Sequence, residues 1–436
     1  AQAIMQKCIL LADLDYTHSI ISNYGGELCA HYPSHLIILE NEKHKNPNET
    51  PPSLPRTTET IYESLYDSTK LKELMKSARI ARCRSRFPLP VILYKGRHIC
   101  RSATLSGGPE IYGRSGLNYL FPGSEGVEQC EDDAGASSDG LYIDWQLFDR
   151  VRNNDIKLLK SMNVGNIIDL MVEKKKVKYG MYVTSSEKVD KEGRYNDFTI
   201  IALPYPGCEF FREFRDNNYI AKDLVFNWSQ GHVDTQIGVP EDPVSNQLKI
   251  QWEQYENWDL VTLTRNYLKL ILKYLSDSSS GMLVHCISGW DRTPLFISLL
   301  RISLWADGAI HASMNTHQML YYTIAYDWHL FGHDLQDRLS KGEEIFFFCF
   351  FFLKHIHDDE FSINSKPSKQ RHSVLRNDSD CQLDNFLFEN EPPIVGSVGS
   401  NISMSSANSR DSQENNPPNI FMVSSTDTLD DYQNNG

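Results

Sequence analysis

Residues 284–293 read Val-His-Cys-Ile-Ser-Gly-Trp-Asp-Arg-Thr, and this stretch decides the fold. Within it, Cys286 and Arg292 are separated by five residues. A thiolate can attack phosphorus, and a planar guanidinium can hold two phosphoryl oxygens in a fork. One short loop therefore carries both halves of a phosphate-ester cleavage site.

The residues on either side of this loop predict a strand before it and a helix after it. Residues 281–285 form a short apolar run that is typical of a buried strand. Residues 294–306 have the length and apolar face of a packed helix, and their leading proline suits a first turn because no amide bond is lost there. Loop amides and a helix N-terminus then converge on any bound anion.

Each polar residue of the loop has a chemical role in this interpretation. The helix N-terminus and the nearby cation are expected to lower the pKa of the Cys286 thiol from about 8.5 by a unit or more. Asp291 is the nearest carboxyl that can protonate the departing alcohol and then activate water. The Thr293 hydroxyl can donate to the sulfur and improve it as a leaving group. The residues predicted to bind the phosphate are Ile287, Ser288, Gly289, Trp290 and Thr293.

A purely structural reading of the same residues must be weighed. The Cys-x5-Arg spacing occurs often by chance, and a buried cysteine before a helix is usually a small apolar residue. Asp291 could be a helix-start carboxylate that the helix dipole stabilises. The catalytic interpretation is preferred because histidine, glycine and threonine occupy their particular places between a strand and a helix.

The string His-Cys-x-x-Gly-Trp-Asp-Arg-Thr resembles the signature of the myotubularin-related phosphatases. The basic residues 81–88 with residues 99–102, and the Trp-x-x-Phe-Gly-His segment at residues 328–333, resemble the same family. The resemblance spans roughly residues 75–357 and is strongest to a divergent member. It implies an α/β fold of the protein tyrosine phosphatase type, with a mixed central sheet flanked by helices. It also implies removal of the 3-phosphate from phosphoinositides.

Two departures from the family pattern bear on the chemistry. Ile287 and Ser288 stand where the family usually has Ser-Asp, which leaves Asp291 as the only carboxyl of the loop. An arginine that helps the family read a second inositol phosphate is absent before the Phe-Gly-His segment, where His317 is a candidate substitute. The sequence thus leaves the preference for a doubly phosphorylated headgroup open.

Residues 204–211 offer a second candidate for the proton donor. In many cysteine phosphatases a mobile loop after the preceding strand carries the general-acid aspartate, whereas this stretch carries Glu209 and no aspartate. Asp291 is preferred, because the resemblance implies an acid within the signature loop.

Composition limits the classes of function. The 436 residues, 40% of them hydrophobic, can bury a substantial core in one or two domains. A net charge of −14 argues against a nucleic-acid binder. An acidic protein with an anionic lipid substrate must also concentrate positive charge locally. The alternative interpretation of each basic cluster is an ordinary solvated face. The candidate clusters are residues 174–176, Arg212 with Arg215, and Arg79, Arg82, Arg84 and Arg86.

Cysteine usage and hydropathy bear on compartment and cofactors. Nine cysteines without a Cys-x-x-Cys pair indicate neither a disulfide scaffold nor a zinc site, and no metal or cofactor is expected. A nucleophilic thiolate fits a reducing, cytoplasmic compartment, and no signal peptide is expected. The apolar run at residues 345–353 is shorter than the about 20 residues that span a bilayer, so a buried helix is expected.

Sequence patterning predicts three segments along the chain. Residues 1–56 form a divergent N-terminal segment, with a few strands or a small α/β unit and a proline-rich linker. Residues 57–362 form the phosphatase domain, which opens with a threonine-capped helix at 57–77 and contains a mobile acidic loop at 123–140. Residues 363–436, rich in Ser, Asn, Asp and Gln, form a disordered tail.

The predicted function is therefore a phosphoinositide 3-phosphatase that works through a phosphocysteine intermediate. The resemblance implies phosphatidylinositol 3-phosphate as substrate, the 3,5-bisphosphate as a second one, and peripheral contact with endosomal or autophagic membranes. Two alternatives stay open: a dual-specificity or tyrosine protein phosphatase, and a weakly active scaffold. Intact Cys286, Arg292 and Asp291 argue against the scaffold. The sequence does not indicate an oligomeric state.

Overall fold

A computed structural model describes residues 1–43, 67–120, 139–356 and 361–363, apart from residues 176, 179, 180, 183 and 191. The predicted linker, most of the acidic loop and nearly all of the predicted disordered tail lie outside the described residues.

Helices and strands alternate through the described chain. The helices are α1 (Gln2–Asp13), α2 (Ser68–Ala78), α3 (Gly108–Leu120), α4 (Asp139–Ser161), α5 (Phe211–Asp216), α6 (Pro243–Asn246), α7 (Leu260–Asp277), α8 (Arg292–Ala306), α9 (Thr316–Tyr322), α10 (Leu335–Lys341) and α11 (Ile345–Phe351). The strands are β1 (Tyr16–Ser22), β2 (His35–Glu42), β3 (Leu89–Tyr94), β4 (Arg97–Ala103), β5 (Leu105–Ser106), β6 (Val164–Asp169), β7 (Val177–Lys178), β8 (Met181–Tyr182), β9 (Thr184–Ser185), β10 (Thr199–Ala202) and β11 (Gly281–Cys286).

The central sheet of the described chain has five strands in the order β10-β6-β11-β4-β3. The first four run parallel, and β3 is antiparallel to β4, so the predicted mixed α/β sheet is confirmed. All six residues of β11 are buried, as expected for a central strand of a parallel sheet that is covered on both faces. The register places Cys286 beside Ala103 and His285 beside Asp169. Cys286 thus lies at the carboxyl end of the central strand.

The predicted helix after the signature loop begins at Arg292, two positions before Pro294. Burial differs from the predicted amphipathic pattern, because every residue from position 292 to 305 is buried rather than those of one face. The charge this brings into the core is neutralised: the Arg301 guanidinium donates two hydrogen bonds of 2.8 Å to the Asp327 carboxylate. Helix α8 contacts β11 and β4 and so fixes the end of the loop against the sheet.

The N-terminal residues form the small α/β unit that the sequence predicts. Helix α1 contacts the antiparallel pair β1 and β2, and β2 contacts β3 of the central sheet. The Tyr16 hydroxyl donates to the Leu93 carbonyl oxygen at 3.4 Å and accepts from the His311 backbone N–H at 3.3 Å. Residues 1–43 therefore share one hydrophobic core with the sheet.

Two further predicted helices can be compared with the structure. The threonine cap predicted at residue 57 lies outside the described residues, and the described helix α2 begins instead at Ser68 with Asp67 as its cap. The Asp67 carboxylate accepts hydrogen bonds from the backbone N–H groups of Thr69 and Lys70. The predicted cap, a threonine ten residues earlier, did not identify this aspartate. The apolar run forms α11, which contacts α8 and buries Phe348, so the predicted buried helix is confirmed. None of the described helices combines the length and apolarity needed to cross a bilayer.

A buried ion-pair cluster anchors the strand that precedes the signature loop. The Arg82 guanidinium pairs with the Asp155 carboxylate at 2.7 Å and with the Glu187 carboxylate at 2.5 Å. His285 Nε2 lies 3.0 Å from the other Glu187 oxygen. Burial opposes charge on Glu187, but His285 and Arg82 hold the pKa of that carboxyl well below its usual range. The interpretation of Arg82 as a surface cation for anionic lipid is wrong, because it is fully buried here.

We expect Glu187→Gln to lower the free energy of unfolding by roughly 3–5 kcal/mol, because the substitution leaves His285 and part of Arg82 buried without their acid. Urea unfolding at pH 7 measures the loss. The matched control is Asp197→Asn, which breaks the exposed 2.6 Å ion pair with Lys160 and should cost less than about 1 kcal/mol. Equal losses in the two variants would contradict the anchoring role.

Candidate active site

The signature loop joins the end of β11 to the start of α8, as the sequence predicts. Cys286 is the last residue of the strand and is only 3% exposed. Gly289 has φ +73°, a conformation that L side chains rarely adopt, and a Cβ there would lie 2.7 Å from the Ser102 carbonyl oxygen. Its backbone N–H donates to Cys286 Sγ at 3.2 Å. Glycine is therefore required for the loop to close around the sulfur.

Groups behind the loop hold its carbonyls away from the sulfur. The Thr104 backbone N–H donates to the Ile287 carbonyl oxygen at 3.1 Å. The Gly289 carbonyl oxygen accepts from Arg86 Nη2 at 3.1 Å and from Arg101 Nη2 at 3.0 Å. In a trans peptide the carbonyl and the following N–H point in opposite directions. The N–H groups of the next residue in each case therefore point away from these anchors, as a ring of anion donors requires.

Arg86 and Arg101 are buried cations, and sequence reasoning missed their role. Neither guanidinium has a carboxylate within ion-pair distance among the described residues, and both have a buried Nε without a described hydrogen-bond partner. Burial, with a smaller contribution from Arg86, lowers the pKa of Arg101 to about 10. The prediction of Arg86 as a surface cation is wrong, because the side chain is buried behind the loop. The sequence signal for both arginines was the family-like basic stretch at residues 81–88 with residues 99–102, which contains them.

The surroundings of Cys286 favour its thiolate. Burial alone would raise the pKa of this thiol, but the Arg292 charge, the Thr293 hydroxyl and backbone N–H, and the Gly289 N–H together lower it below its ordinary value. The Thr293 hydroxyl oxygen is buried and has no other hydrogen-bond partner among the described residues. Cys286, the predicted nucleophile, thus lies together with Arg292 and Thr293 in the structure.

Arg292, which is predicted to bind phosphate, is the first residue of α8. Its Nη1 donates to the carbonyl oxygens of Leu170 and Tyr205, each at 3.0 Å, which fixes the guanidinium plane. Its Nη2 has no hydrogen-bond partner among the described residues, although the side chain is only 7% exposed. Burial disfavours its charge, but Cys286, Glu173 and Glu209 raise its pKa above the ordinary value. The guanidinium therefore stays charged and keeps donors for a phosphoryl group.

Asp291 sits at the start of α8 but does not cap the helix. One carboxylate oxygen is 3.0 Å from His333 Nδ1, and the other accepts from Arg338 Nη2 at 3.0 Å. Burial would raise the pKa of this carboxyl, but His333 and Arg338 lower it to about 2. His333 belongs to the predicted Trp-x-x-Phe-Gly-His segment, whereas no sequence signal pointed to Arg338. Asp291 is thus an ionised carboxylate that is firmly paired with His333 and Arg338.

Two glutamates lie within electrostatic reach of Arg292. Glu209 is exposed and lies just before α5, in the short helical turn Cys208–Phe210. Glu173 follows β6, and one of its carboxylate oxygens is buried without a described hydrogen-bond partner. Sequence reasoning identified Glu209 and missed Glu173, because only the fold brings the end of β6 beside the loop.

The remaining predicted cations occupy different places. Arg84 contacts the signature loop, with Nη1 donating to Ser288 Oγ. Arg212 pairs with Glu343 at 3.4 Å and Arg215 with Asp216 at 2.7 Å, as expected of solvated faces. Arg79 donates to the Glu27 carbonyl oxygen. Of the predicted cations, the described contacts therefore bring Arg84 and Arg86 to the predicted phosphate-binding residues, Arg84 through Ser288 and Arg86 through Gly289.

Comparisons with known proteins agree with this geometry. The sequence pattern of the myotubularin-like phosphatase domain matches residues 246–393. A human protein named phosphatidylinositol-3,5-bisphosphate 3-phosphatase MTMR14 is 51% identical over 411 residues, which are 92% of this chain and 61% of that protein. The mouse protein of the same name is 52% identical over 377 residues, covering 84% of this chain and 55% of its own length. A protein of Saccharomyces cerevisiae named phosphoinositide 3-phosphatase is 33% identical over 90 residues, 20% of this chain and 12% of that protein.

This chain therefore spans between about half and three fifths of the length of the two mammalian relatives. The matched pattern includes the whole signature loop and α8.

We expect Thr293→Val to raise the pKa of the Cys286 thiol by roughly one unit, because the variant loses a hydrogen bond that favours the thiolate. The pH dependence of inactivation by iodoacetamide measures this shift. The control is Ser298→Ala, which removes another buried hydroxyl of α8 and should leave the midpoint in place. An unshifted midpoint in Thr293→Val would rule out the assigned role of the hydroxyl.

Proposed function

The chain belongs to the myotubularin-related phosphatase family, and on that basis we propose that it removes the 3-phosphate from phosphoinositides. The resemblance drawn from the signature loop is thereby confirmed. The proposed substrates are phosphatidylinositol 3-phosphate and phosphatidylinositol 3,5-bisphosphate, and the second lipid is part of the names of the two mammalian relatives. The observation that supports this proposal most directly is the buried Cys286 sulfur, which accepts a hydrogen bond from the Gly289 N–H. Beside it, Arg292 keeps Nη2 donors that have no partner among the described residues.

In the first step Cys286 Sγ attacks phosphorus, a sulfur–phosphorus bond forms, and the bond from phosphorus to the inositol oxygen breaks. The Arg292 guanidinium and the loop N–H groups stabilise the negative charge of the transferring phosphoryl group. Because these groups are fixed by Leu170, Tyr205 and the arginine pair behind the loop, they need no rearrangement when the charge develops. This chemistry requires no metal ion, since the cations and amides supply the positive potential.

The departing inositol oxygen needs a proton, and we assign its delivery to Asp291. The pKa of about 2 that His333 and Arg338 give this carboxyl opposes the role, because the carboxyl is then ionised near neutral pH. A bound phosphate adds negative charge beside the carboxylate and raises that pKa, which supports proton uptake with the substrate. Glu209 is the competing donor, since it is exposed and acts electrostatically on Arg292.

In the second step water attacks the phosphocysteine, inorganic phosphate leaves, and Cys286 is restored as a thiolate. The same carboxylate accepts the proton of the water molecule, since an acid in the first step becomes a base in the second. Thr293 assists here, because a hydrogen bond to the departing sulfur stabilises its charge.

The second candidate function is hydrolysis of phosphotyrosine in proteins, which uses the same sulfur chemistry on an aryl leaving group. The cationic surroundings of the loop favour the lipid: Arg84 stands beside Ser288 and adds positive charge that a single phosphotyrosine does not need. A weakly active scaffold is disfavoured because Cys286, Arg292 and Asp291 are all present and positioned. The proposed setting is cytoplasmic, with peripheral contact to endosomal or autophagic membranes, because the substrate is a lipid and the thiolate needs a reducing compartment.

Phosphate release from all phosphoinositides and from phosphotyrosyl peptides tests the substrate class. We expect the two 3-phosphorylated lipids named above to be hydrolysed fastest, and Cys286→Ser to release no phosphate, because an alcohol in this cradle is a far weaker nucleophile than a thiolate. Peptides that outpace every lipid, or an active Cys286→Ser variant, would overturn the proposal.

Steady-state kinetics of Asp291→Asn and Glu209→Gln identify the proton donor. The variant that lacks the acid should lose about 10²–10⁴-fold in kcat on an alkyl phosphate. It should lose far less on an aryl phosphate whose leaving group needs no proton. We expect this pattern for Asp291→Asn, with Glu209→Gln as the matched carboxylate-to-amide control, and the reverse pattern would transfer the role to Glu209.

A further inference from the structure

The Arg84 guanidinium rests on the outer side of the signature loop. Its Nη1 donates to Ser288 Oγ at 2.5 Å. Its Cζ lies 4.4 Å from the centre of the Trp290 ring, a cation–π distance. Two residues of the loop therefore hold this cation in place beside the site that binds the transferred phosphate.

This guanidinium has no carboxylate within ion-pair distance among the described residues. The nearby acid, Glu110, is occupied elsewhere: it accepts from the Arg84 backbone N–H at 2.7 Å and pairs with Arg114 at 2.6 Å. Glu110 thus fixes the main chain of Arg84 and leaves the charge of its side chain uncompensated. In a chain of net charge −14, a half-buried arginine that has no acid partner in the described part of the chain is positioned for an anion from outside.

The backbone at Arg84 is strained. Its φ of +55° lies in the left-handed region, which residues with a Cβ seldom adopt. Hydrogen bonds on both sides over-determine it, since the Cys83 N–H donates to the Thr104 carbonyl oxygen at 2.9 Å and the Arg86 N–H to the Cys83 carbonyl oxygen at 3.1 Å. Strained backbone persists where the surrounding structure requires one conformation of a residue. At Arg84 the required conformation places the guanidinium on the signature loop.

Two more cations, Arg86 and Arg114, lie near this position and act electrostatically on His31. The His31 ring centre lies 5.4 Å from that of Trp290. Burial lowers the pKa of His31, and the charges of Arg86, Arg84 and Arg114 lower it further. The flank of the loop that bears Ser288 and Trp290 is therefore cationic even with His31 neutral.

We propose that Arg84 is a specificity-determining residue that binds a second phosphate of the substrate, while Ser288 and Trp290 orient its guanidinium. The inference rests on the proposed function, since it requires a substrate with two phosphate groups. The second group is either another phosphate on the inositol ring or the diester phosphate that joins the ring to the lipid. A planar guanidinium suits either one, because it donates to two phosphoryl oxygens at once.

The test compares kcat/KM of wild-type protein and Arg84→Gln on the 3,5-bisphosphate lipid, the 3-phosphate lipid and an aryl monophosphate that has no second phosphate. Glutamine retains a Cβ, so the strain at φ +55° is kept while the charge is removed. We expect the ratio of kcat/KM for the bisphosphate lipid to that for the aryl monophosphate to fall about 10–100-fold, mainly through KM. Arg84→Lys, which keeps the charge and loses the fork, should recover part of that ratio.

The 3-phosphate lipid separates the two phosphate sources. A loss confined to the bisphosphate lipid identifies the ring phosphate as the ligand of Arg84, whereas an equal loss on both lipids identifies the diester. The matched control is Arg150→Gln, an equal change of charge at an exposed position of α4, and it should leave all ratios in place.

A uniform loss on all three substrates would overturn the assignment, because it would mean that Arg84 acts only through the shape of the loop. Unchanged ratios would overturn it as well. If the wild-type protein hydrolyses the aryl phosphate but neither lipid, the proposed function fails and the assignment fails with it. If the wild-type protein hydrolyses the lipids and the kcat/KM ratios are unchanged in Arg84→Gln, the assignment of Arg84 fails and the proposed function stands.

Discussion

The site depends on the orientation of the peptide that joins Gly289 to Trp290. Two buried arginines, Arg86 and Arg101, donate to its carbonyl oxygen from behind, at 3.1 and 3.0 Å. If this carbonyl turned inward, it would present a negative dipole to an anionic ligand and to the Cys286 thiolate. The positive φ of Gly289 is the conformation that lets its N–H reach the sulfur while its carbonyl faces the arginines. Gly289, Arg86 and Arg101 therefore fix the orientation of this peptide together.

The charges of the described structure divide into two groups with different purposes. Arg82 is buried and pairs with Asp155 and Glu187, and Arg301 is buried and pairs with Asp327. Removing one of these acids would leave buried positive charge without its full compensation. Four cations around the signature loop lack such partners: Arg84, Arg86, Arg101 and Arg292 have no carboxylate within ion-pair distance among the described residues. Burying them without acids costs stability, and it supplies the positive potential that a thiolate and a phosphate both need. A strongly acidic chain thus keeps a cationic centre.

The sequence predicts the parts of this site that are contiguous. The strand, the loop and the helix follow from residues 281–306, since each depends on local pattern, and Cys286, Arg292 and Thr293 are found where their spacing indicates. Contacts between distant residues could not be predicted. Arg338 reaches Asp291 from α10, and the role of Arg86 depends on a carbonyl whose direction only the folded loop sets. The basic stretch accordingly suggested a surface, although two of its arginines are buried.

Formation of a phosphocysteine tests the central claim most directly. Wild-type protein is mixed with phosphatidylinositol 3-phosphate, quenched rapidly in denaturant during turnover, digested and analysed by mass spectrometry. We expect the added mass of one phosphoryl group on the peptide that carries Cys286, and no added mass when Cys286→Ser is treated in the same way. Phosphate released at the wild-type rate with no adduct at any time, or with an adduct on another residue, would contradict it.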